Sequence, residues 1–167
     1  MTSDITNWVT IRPARNADIV GIVALVSGYA AEAIMLYRSP ESVRMTLHDF
    51  VVAVGSSGNV LACGALKEYS PSLAEVASVA VAREAHGLGL GTAIVAAVER
   101  LAQKRGIDEL FALTLTPKFF ENAGYAIADR ALYPEKIRRD CLSCPRRIRC
   151  NEYCVVHQVQ EAIAVAA

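Results

Sequence analysis

The stretch that decides the fold reads Val79-Ala80-Val81-Ala82-Arg83-Glu84-Ala85-His86-Gly87-Leu88-Gly89-Leu90-Gly91-Thr92. It joins a β-type triplet to a turn with alternate glycines, and an apolar helical face follows at positions 94, 95, 98, 101 and 102. Alternate glycines let backbone N–H groups approach a ligand, and the positive end of a helix points the same way. This arrangement is typical of pyrophosphate binding. A flexible turn that needs positive φ is the alternative interpretation.

Two common phosphate-binding motifs do not fit this turn. A Rossmann motif places GxGxxG soon after the first strand, whereas here the glycines are spaced GxGxG and follow the fourth predicted strand. A Walker motif needs a Gly-Lys-Ser/Thr sequence, which does not follow these glycines.

Hydrophobic periodicity and turn residues predict the remaining elements. We expect a helix after the N-cap Asp18 that ends at Gly28, and a second helix with Ser39 as N-cap and Pro40 at its first position. A turn at 56–59 joins two arms of a hairpin, and Gly106 and Gly124 end later helices. The predicted strands cover 8–12, 50–54, 60–69, 73–81, 110–115, 125–128 and 153–159, and the two later helices cover 92–105 and 117–123.

Composition limits the function classes. The chain has 167 residues and is 53% hydrophobic, which fits one domain over 1–167 with a real core. The formal net charge is zero, so nucleic-acid binding by bulk charge is not expected. No apolar run is long enough to span a bilayer, and residues 1–10 lack the pattern of a signal peptide. We therefore predict a cytoplasmic protein with no membrane or nucleic-acid partner, in which cysteines stay reduced.

A basic, cysteine-rich segment at 130–154, which we expect on the substrate side of the domain, differs chemically from the rest. Residues 136–149 hold six cations against one acid, Asp140, so the remainder of the chain carries −5. The cysteines Cys141, Cys144, Cys150 and Cys154 have a spacing that could hold zinc, although it is tighter than usual. An iron–sulfur cluster, reduced thiols in a packed loop and a redox-sensitive disulfide remain open, so none of these cysteines is assigned to a metal.

The motifs together resemble those of the GCN5-related N-acetyltransferases, the GNAT family. The similarity rests on Arg12-Pro13-Ala14 with Asp18, on the glycine turn with the strand before it, and on the sequence Phe119-Phe120-Glu121-Asn122-Ala123-Gly124-Tyr125. The resemblance implies an α/β fold with a mixed, mostly antiparallel sheet that splays after strand 4 and is flanked by helices. It covers about residues 9–160.

Acetyl-CoA is the co-substrate that this resemblance implies. Its pyrophosphate would lie on the N–H groups of Leu88, Gly89, Leu90, Gly91 and Thr92, and its pantetheine arm would pair with Val79, Ala80 and Val81. Two further cofactor-binding positions depart from the family pattern. His86 stands where Arg or Gln is usual beside Gly87, and Phe120 replaces a common Tyr, so it cannot donate a proton to the departing thiolate.

A narrower resemblance is to the short, single-domain N-acetylglutamate synthases. It rests on Met35-Leu36-Tyr37-Arg38-Ser39, Ala74-Glu75-Val76, Leu132-Tyr133-Pro134-Glu135-Lys136 and Arg139-Asp140-Cys141-x-x-Cys144-Pro145. It implies acetyl transfer to the α-amine of L-glutamate, the first step of arginine biosynthesis, and a homodimer, which the apolar stretch 155–167 would also favour. The alternatives are another acceptor (glutamine, another amino acid, a polyamine or a protein N-terminus) and a non-catalytic module that binds CoA or senses a metal.

The resemblance also assigns roles to individual residues. Glu75 matches the general base, and Thr114 matches a hydroxyl that could pass a proton to the CoA thiolate. A backbone N–H near Val79 would stabilise the developing oxyanion. Two carboxylates of glutamate need cations, for which Arg38, Lys136 and Arg139 are the candidates.

Overall fold

Seven strands and five α-helices build the part of the chain that the structure, a computed structural model, describes: residues 8–159. Residues 1–7 and 160–167, which belong to the stretches considered above for a signal peptide and for a dimer, lie outside the described residues. The strands are β1 Val9–Pro13, β2 Phe50–Gly55, β3 Val60–Ser70, β4 Leu73–Val81, β5 Glu109–Thr114, β6 Ala126–Ala128 and β7 Tyr153–Gln158. The helices are α1 Ile19–Ala31, α2 Pro40–Met45, α3 Leu90–Lys104, α4 Pro117–Asn122 and α5 Pro134–Lys136, and α5 continues into a π-helical turn, Ile137–Cys141.

The sheet has the strand order β1-β2-β3-β4-β5-β7-β6. Its pairings are antiparallel for β1–β2, β2–β3, β5–β7 and β6–β7, whereas β4 and β5 run parallel. Among the described residues, the β4–β5 register covers three pairs, at Leu73–Glu109, Ala74–Leu110 and Glu75–Phe111. The expected mixed, mostly antiparallel sheet with flanking helices is confirmed.

The described chain divides into two compact units, so the single domain expected over 1–167 stays a prediction. The first unit comprises residues 8–66 and 76–101. Its core forms where the apolar face of α1, with Ile22 and Val26, packs on the β2 side chains Phe50 and Val52. These side chains are at most 1% exposed, so they anchor α1 firmly.

The second unit comprises residues 67–75 and 102–159. The β7 strand lies between β5 and β6 and pairs with both. Phe111 stacks on Tyr133 with ring centroids 4.4 Å apart. Phe111 also contacts Tyr69 in a tilted arrangement, with ring centroids 5.5 Å apart. These aromatic contacts fix the end of β3 and the start of α5 against β5.

Most predicted boundaries are confirmed to within two residues, but the end of α1 is not. Gly28 does not end this helix, which runs on to Ala31; the chain then turns at Ala33, whose φ is +58°. The cost of a helical glycine, about 1 kcal/mol, is small beside the tertiary packing of α1.

The predicted capping residues behave in two ways. Ser39 caps α2 and accepts a hydrogen bond from the Ser42 N–H. Asp18 lies at the N-cap of α1 but makes no side-chain capping bond there. Its carboxylate instead accepts hydrogen bonds from the Arg12 guanidinium at 2.7 and 3.0 Å and from the Arg15 N–H at 2.7 Å. The ion pair with Arg12 therefore replaces the expected cap.

None of the helices within residues 8–159 combines the length and the apolar character that a bilayer crossing requires.

Candidate functional site

The glycine turn lies at the start of α3 in the first unit. Gly87 and Gly89 have φ values of +78° and +75°, a conformation that favours glycine. The Ala93 N–H donates to the Gly89 carbonyl at 3.1 Å and makes the first bond of the helix. The helix geometry therefore leaves the N–H groups of the preceding residues, Leu90 to Thr92, without an intrahelical acceptor. This end of a 15-residue helix can bind an anion.

His86 turns back towards the end of β4. Its Nε2 lies 2.8 Å from Tyr29 Oη and 3.1 Å from the Val81 carbonyl oxygen, and Tyr29 Oη also donates to that oxygen at 2.5 Å. The Arg83 guanidinium lies 5.1 Å from the centre of the Tyr29 ring and pairs with Glu32. The sequence does not predict this role of Tyr29, because the predicted helix ends at Gly28, one residue before it.

β4 contains a backbone irregularity just before the predicted pantetheine-pairing residues. Ser78 has φ +53°, which L-amino acids other than glycine rarely adopt. Its carbonyl accepts a hydrogen bond from the Cys63 thiol at 3.4 Å. Val79 and Val81 are half-buried, whereas Ala80 is buried. Strained backbone of this kind is concentrated at functional sites.

Arg38 is held by its own neighbourhood in the first unit. Its Nε donates to Ser42 Oγ at 3.1 Å and its Nη2 donates to Thr46 Oγ1 at 3.0 Å. The guanidinium also lies 5.5 Å from the centre of the Phe50 ring. The side chain is therefore fixed in one place before any anion arrives.

A group of polar side chains in the second unit surrounds the predicted base; we call it the Glu75 cluster, comprising Lys67, Tyr69, Glu75, Lys136 and Asp140. Glu75 is 5% exposed, and its Oε2 accepts hydrogen bonds from Tyr69 Oη at 2.8 Å and from Lys136 Nζ at 2.9 Å. Asp140 Oδ2 accepts from Lys67, Tyr69 and Lys136 at 2.6, 2.5 and 3.0 Å. The structure thus brings together two predicted residues, Glu75 and Lys136.

Three members of this cluster are not predicted from the sequence. Lys67 and Tyr69 share one face of β3 by the period of two, and Asp140 lies one helical turn after Lys136. Both spacings were visible in the sequence, but neither indicates which strand and which helix meet.

The electrostatics of the cluster favour a charged Asp140 carboxylate and protonated Tyr69 and Lys136 side chains. Burial raises the pKa of Tyr69 strongly, and the nearby charge of Glu75 raises it further. Burial opposes ionisation of Asp140, but hydrogen bonds from Lys67, Tyr69 and Lys136 outweigh it and hold the pKa of that carboxyl well below its usual range. Burial likewise works against the Lys136 ammonium, whereas the charge of Glu75 raises the pKa of Lys136 overall.

Arg139 lies beside the same cluster. Its guanidinium carbon is 4.7 Å from the centre of the Tyr69 ring, and its Nη1 donates to the Glu68 backbone carbonyl at 3.1 Å. Stacking on an aromatic face keeps the positive charge in place, and the Arg139 residue is exposed.

Thr114 and Phe120 have local partners in the second unit. Thr114 Oγ1 accepts a hydrogen bond from the Thr116 N–H at 3.0 Å, and the side chain is only 8% exposed. Phe120 is buried and makes edge-to-face contacts with Phe119 and Tyr125, with ring centroids 5.1 and 5.2 Å apart. Phe120 therefore packs as a core aromatic residue of this unit.

The cysteines are all free thiols, including the four of the C-terminal segment. Cys150 Sγ lies 3.2 Å from Arg130 Nη1, and burial raises the pKa of Cys154 to about 11. Within residues 8–159, no group of three or more His, Cys, Asp or Glu side chains is arranged to hold a metal ion.

Comparison with known sequences shows which family and which proteins this chain is similar to. The profile of the acetyltransferase (GNAT) family matches residues 27–125. An uncharacterized N-acetyltransferase of Chlorobaculum tepidum is 40% identical over 146 residues, which are 87% of this chain and 94% of that protein. An amino-acid acetyltransferase of Neisseria meningitidis is 33% identical over 135 residues, which are 80% of this chain and 31% of that protein.

Solved structures extend the comparison. The N-acetylglutamate synthase of Neisseria gonorrhoeae, complexed with coenzyme A and N-acetyl-glutamate, matches with a TM-score of 0.82 and 30% identity, over 92% of this chain and 35% of that one. A Mycobacterium tuberculosis protein in complex with CoA matches with a TM-score of 0.79 and 24% identity, over 90% and 99% of the chains, and this likeness concerns the fold alone. The chain thus spans about a third of the length of the synthase and of the amino-acid acetyltransferase.

Proposed function

The chain belongs to the GNAT family of N-acetyltransferases, and from this premise we propose that it transfers the acetyl group of acetyl-CoA to the α-amine of L-glutamate. One observation carries the proposal: a buried carboxylate, Glu75, is held by the Tyr69 hydroxyl and the Lys136 ammonium within a cluster of two lysines and two carboxylates. The likeness to the gonococcal synthase over 92% of this chain supports the choice of glutamate. On this proposal the chain would catalyse the first step of arginine biosynthesis.

The proposed co-substrate fits the first unit. The N–H groups of Leu88 to Thr92 would hold the pyrophosphate, because they stand at a positive helix end behind two glycines with positive φ. Val79, Ala80 and Val81 would pair with the pantetheine arm. His86 would hold the start of the glycine turn through its contacts with Tyr29 and Val81, and would not bind phosphate in the way that an arginine at this position does. Phe120 would contribute apolar packing.

The proposed chemistry assigns each proton and bond. Glu75 accepts a proton from the α-ammonium and releases it to solvent, and the free amine nitrogen then bonds to the acetyl carbonyl carbon. The nitrogen loses a second proton to Glu75 as the carbon–sulfur bond breaks, so that a neutral amide forms and coenzyme A leaves as a thiolate. The N–H of Val79 would donate to the carbonyl oxygen as its negative charge develops. The Thr114 hydroxyl would pass a proton to the thiolate and would itself be reprotonated from solvent in the same transfer.

The acceptor's two carboxylates would be bound by Arg38, Lys136 and Arg139. Lys136 has three donor hydrogens and uses two of them on Glu75 and Asp140, so one is left for a substrate carboxylate. Arg38 and Arg139 are each fixed by neighbouring side chains or backbone, which lowers the entropy lost when an anion binds.

A substrate panel tests the proposal. We expect coenzyme A release from acetyl-CoA to be fastest with L-glutamate among the twenty amino acids and a polyamine. The variant Glu75→Gln should lower kcat by roughly 10²–10⁴-fold with little change in the dissociation constant for CoA, whereas Glu121→Gln, at an exposed position of α4, should behave as the parent. If the rate is fastest with glutamine or a polyamine, that amine and not glutamate is the acceptor. If no amine leads to release of coenzyme A, a non-catalytic binding module is favoured.

The homodimer and the cytoplasmic location remain predictions. The apolar stretch cited for the dimer extends into residues 160–167, outside the described part of the chain. Sedimentation at micromolar concentration checks the dimer, for which we expect a particle of twice the chain mass of 18.0 kDa.

A further inference from the structure

Four polar atoms in the Glu75 cluster form a closed ring. Tyr69 Oη and Lys136 Nζ both contact Glu75 Oε2, at 2.8 and 2.9 Å, and both contact Asp140 Oδ2, at 2.5 and 3.0 Å. Lys67 Nζ contacts Asp140 Oδ2 from outside the ring, at 2.6 Å. Asp140 is therefore bonded to both groups that hold Glu75.

The ring places both donors on the same oxygen of Glu75. Within residues 8–159, the hydrogen bonds to this carboxylate all fall on Oε2, so Oε1 keeps its lone pairs for another donor. Tyr69 Oη and Lys136 Nζ therefore both hold Oε2 in place, and the one phenol proton is shared with Asp140. A general base must present a lone pair to the proton that it removes, within hydrogen-bond reach and in the right direction.

The protonation states of the ring suit this arrangement. The pKa of Tyr69 is raised far above its usual value by burial and by the two carboxylates, so the phenol stays a donor at neutral and mildly alkaline pH. The pKa of Asp140 is held low because three hydrogen bonds outweigh its burial, so Asp140 stays an acceptor. The single phenol proton can then be donated to either carboxylate, whereas the Lys136 ammonium donates hydrogen bonds to both.

We propose that Tyr69 and Asp140 are positioning residues for the acetyl transfer: Asp140 holds the Tyr69 hydroxyl and the Lys136 ammonium, and these two fix Glu75 so that Oε1 faces the acceptor amine. This inference rests on the proposed function, in which Glu75 is the base. It adds that the orientation of Glu75 depends on Asp140, a residue of the π-helical turn Ile137–Cys141 that lies far from Glu75 in the sequence.

Folding alone does not require such a ring. Two carboxylates that share their donors in a largely buried place are costly to desolvate, and apolar residues of similar volume are often as stabilising or more so. Tyr69 without its hydroxyl would still pack its ring on Phe111 and beneath Arg139. The hydroxyl is therefore the part of Tyr69 whose contacts point to the base.

The experiment compares Tyr69→Phe and Asp140→Asn in the parent chain and in the Glu75→Gln background. We expect each substitution alone to lower kcat roughly tenfold, which corresponds to the loss of one hydrogen bond to a charged group. The KM for acetyl-CoA should stay within about twofold. In the Glu75→Gln background, Tyr69→Phe should lower the remaining rate by less than about twofold, because no carboxylate is left to orient. Tyr37→Phe, at a tyrosine that is 60% exposed, is the matched control.

A pH series gives a readout that loss of structure would not move. Raising the pH from about 7 to about 9 increases the fraction of unprotonated amine, so a weakened base matters less. The ratio of parent to Tyr69→Phe rates should therefore shrink with pH, as it should for Glu75→Gln. The other charged or titratable groups that face Glu75 and Tyr69 are Lys67, Lys136, Arg139, Asp140 and Cys154.

The outcomes separate the inference from the function beneath it. If Glu75→Gln loses activity while Tyr69→Phe keeps the parent kcat, the positioning role is wrong and the proposed function stands. Independent, multiplicative losses in the double variant, or a rate ratio that does not change with pH, would equally overturn the positioning role. Parent-like activity of Glu75→Gln would remove the base itself, and the positioning role with it.

Discussion

Gly64 on β3 offers a sharp test of how tightly the first unit is packed around α3. A Cβ atom on Gly64 would lie 2.6 Å from Ile94 Cγ2, 3.4 Å from Val98 Cγ2 and 3.6 Å from Val79 Cγ2. Because non-bonded carbon atoms rest about 3.5–4.0 Å apart, the first contact overlaps by about 1 Å. Ile94 is fully buried and β-branched, so it cannot rotate its Cγ2 away without leaving its preferred helical rotamer.

We therefore expect Gly64→Ala to lower the free energy of unfolding by about 1–3 kcal/mol, the usual cost of overpacking a core. Ile94 lies in the second turn of α3, and the first turn carries the N–H groups of the glycine turn. A shift of Ile94 should therefore also weaken coenzyme A binding several-fold. Urea unfolding followed by circular dichroism measures the first effect, and calorimetric titration with coenzyme A measures the second.

Gly28→Ala is the matched control. Gly28 lies inside α1, and apart from its chain neighbours and the backbone of the helix itself, no atom lies within 4 Å of the position that its Cβ would take. Alanine is a better helix former than glycine, so this variant should gain about 0.5–1 kcal/mol. Equal stability of Gly64→Ala and the parent, or equal losses in both variants, would refute the argument from contact distances.

Two further predictions concern titratable groups of the first unit. The Arg12 hydrogen bond holds the pKa of Asp18 below its usual value of 3.8, so its contribution to stability is present above that pH and is lost as the pH falls through the folded-state pKa. Asp18→Asn should therefore cost about 1–3 kcal/mol at pH 7 and less at pH 3, by urea unfolding at both values; an equal cost at both would contradict the assigned ion pair. Burial raises the pKa of Cys63 to about 12, so iodoacetamide at pH 8 should leave this thiol unmodified in the folded protein and alkylate it in urea, as mass spectrometry can show.

Local signals predicted the parts of the fold that depend on neighbours in sequence. The glycine turn, the Ser39-Pro40 helix start and the hairpin around 56–59 each follow from residues with special backbone preferences. The strand limits follow from alternation and from turn residues, and β4 runs from Leu73 to Val81 as predicted. These features need no knowledge of what packs against them.

Side-chain use could not be predicted in the same way. Asp18 occupies the predicted N-cap position, yet its carboxylate accepts a hydrogen bond from Arg12 and caps no N–H of α1. His86 follows β4 as expected, but its side chain contacts Tyr29. The bonds of Tyr69 to Asp140 join residues 71 positions apart, and no local pattern specifies which of several charged side chains will meet. Competition between partners, rather than propensity, decides such contacts.

The charge of the C-terminal segment shows why this difference matters for function. Counted along the sequence, the segment is strongly basic, and any of its cations could be expected to bind a dicarboxylic acceptor. In the Glu75 cluster, however, the two lysines face two carboxylates, so this group of four is already neutral. Within residues 8–159, Arg139 instead donates to a backbone carbonyl and stacks on Tyr69, so its charge is not matched by a carboxylate there. On the proposed function, the positive potential that a substrate carboxylate meets beside Glu75 would therefore come chiefly from Arg139, and Lys136 would mainly hold the proposed base in place.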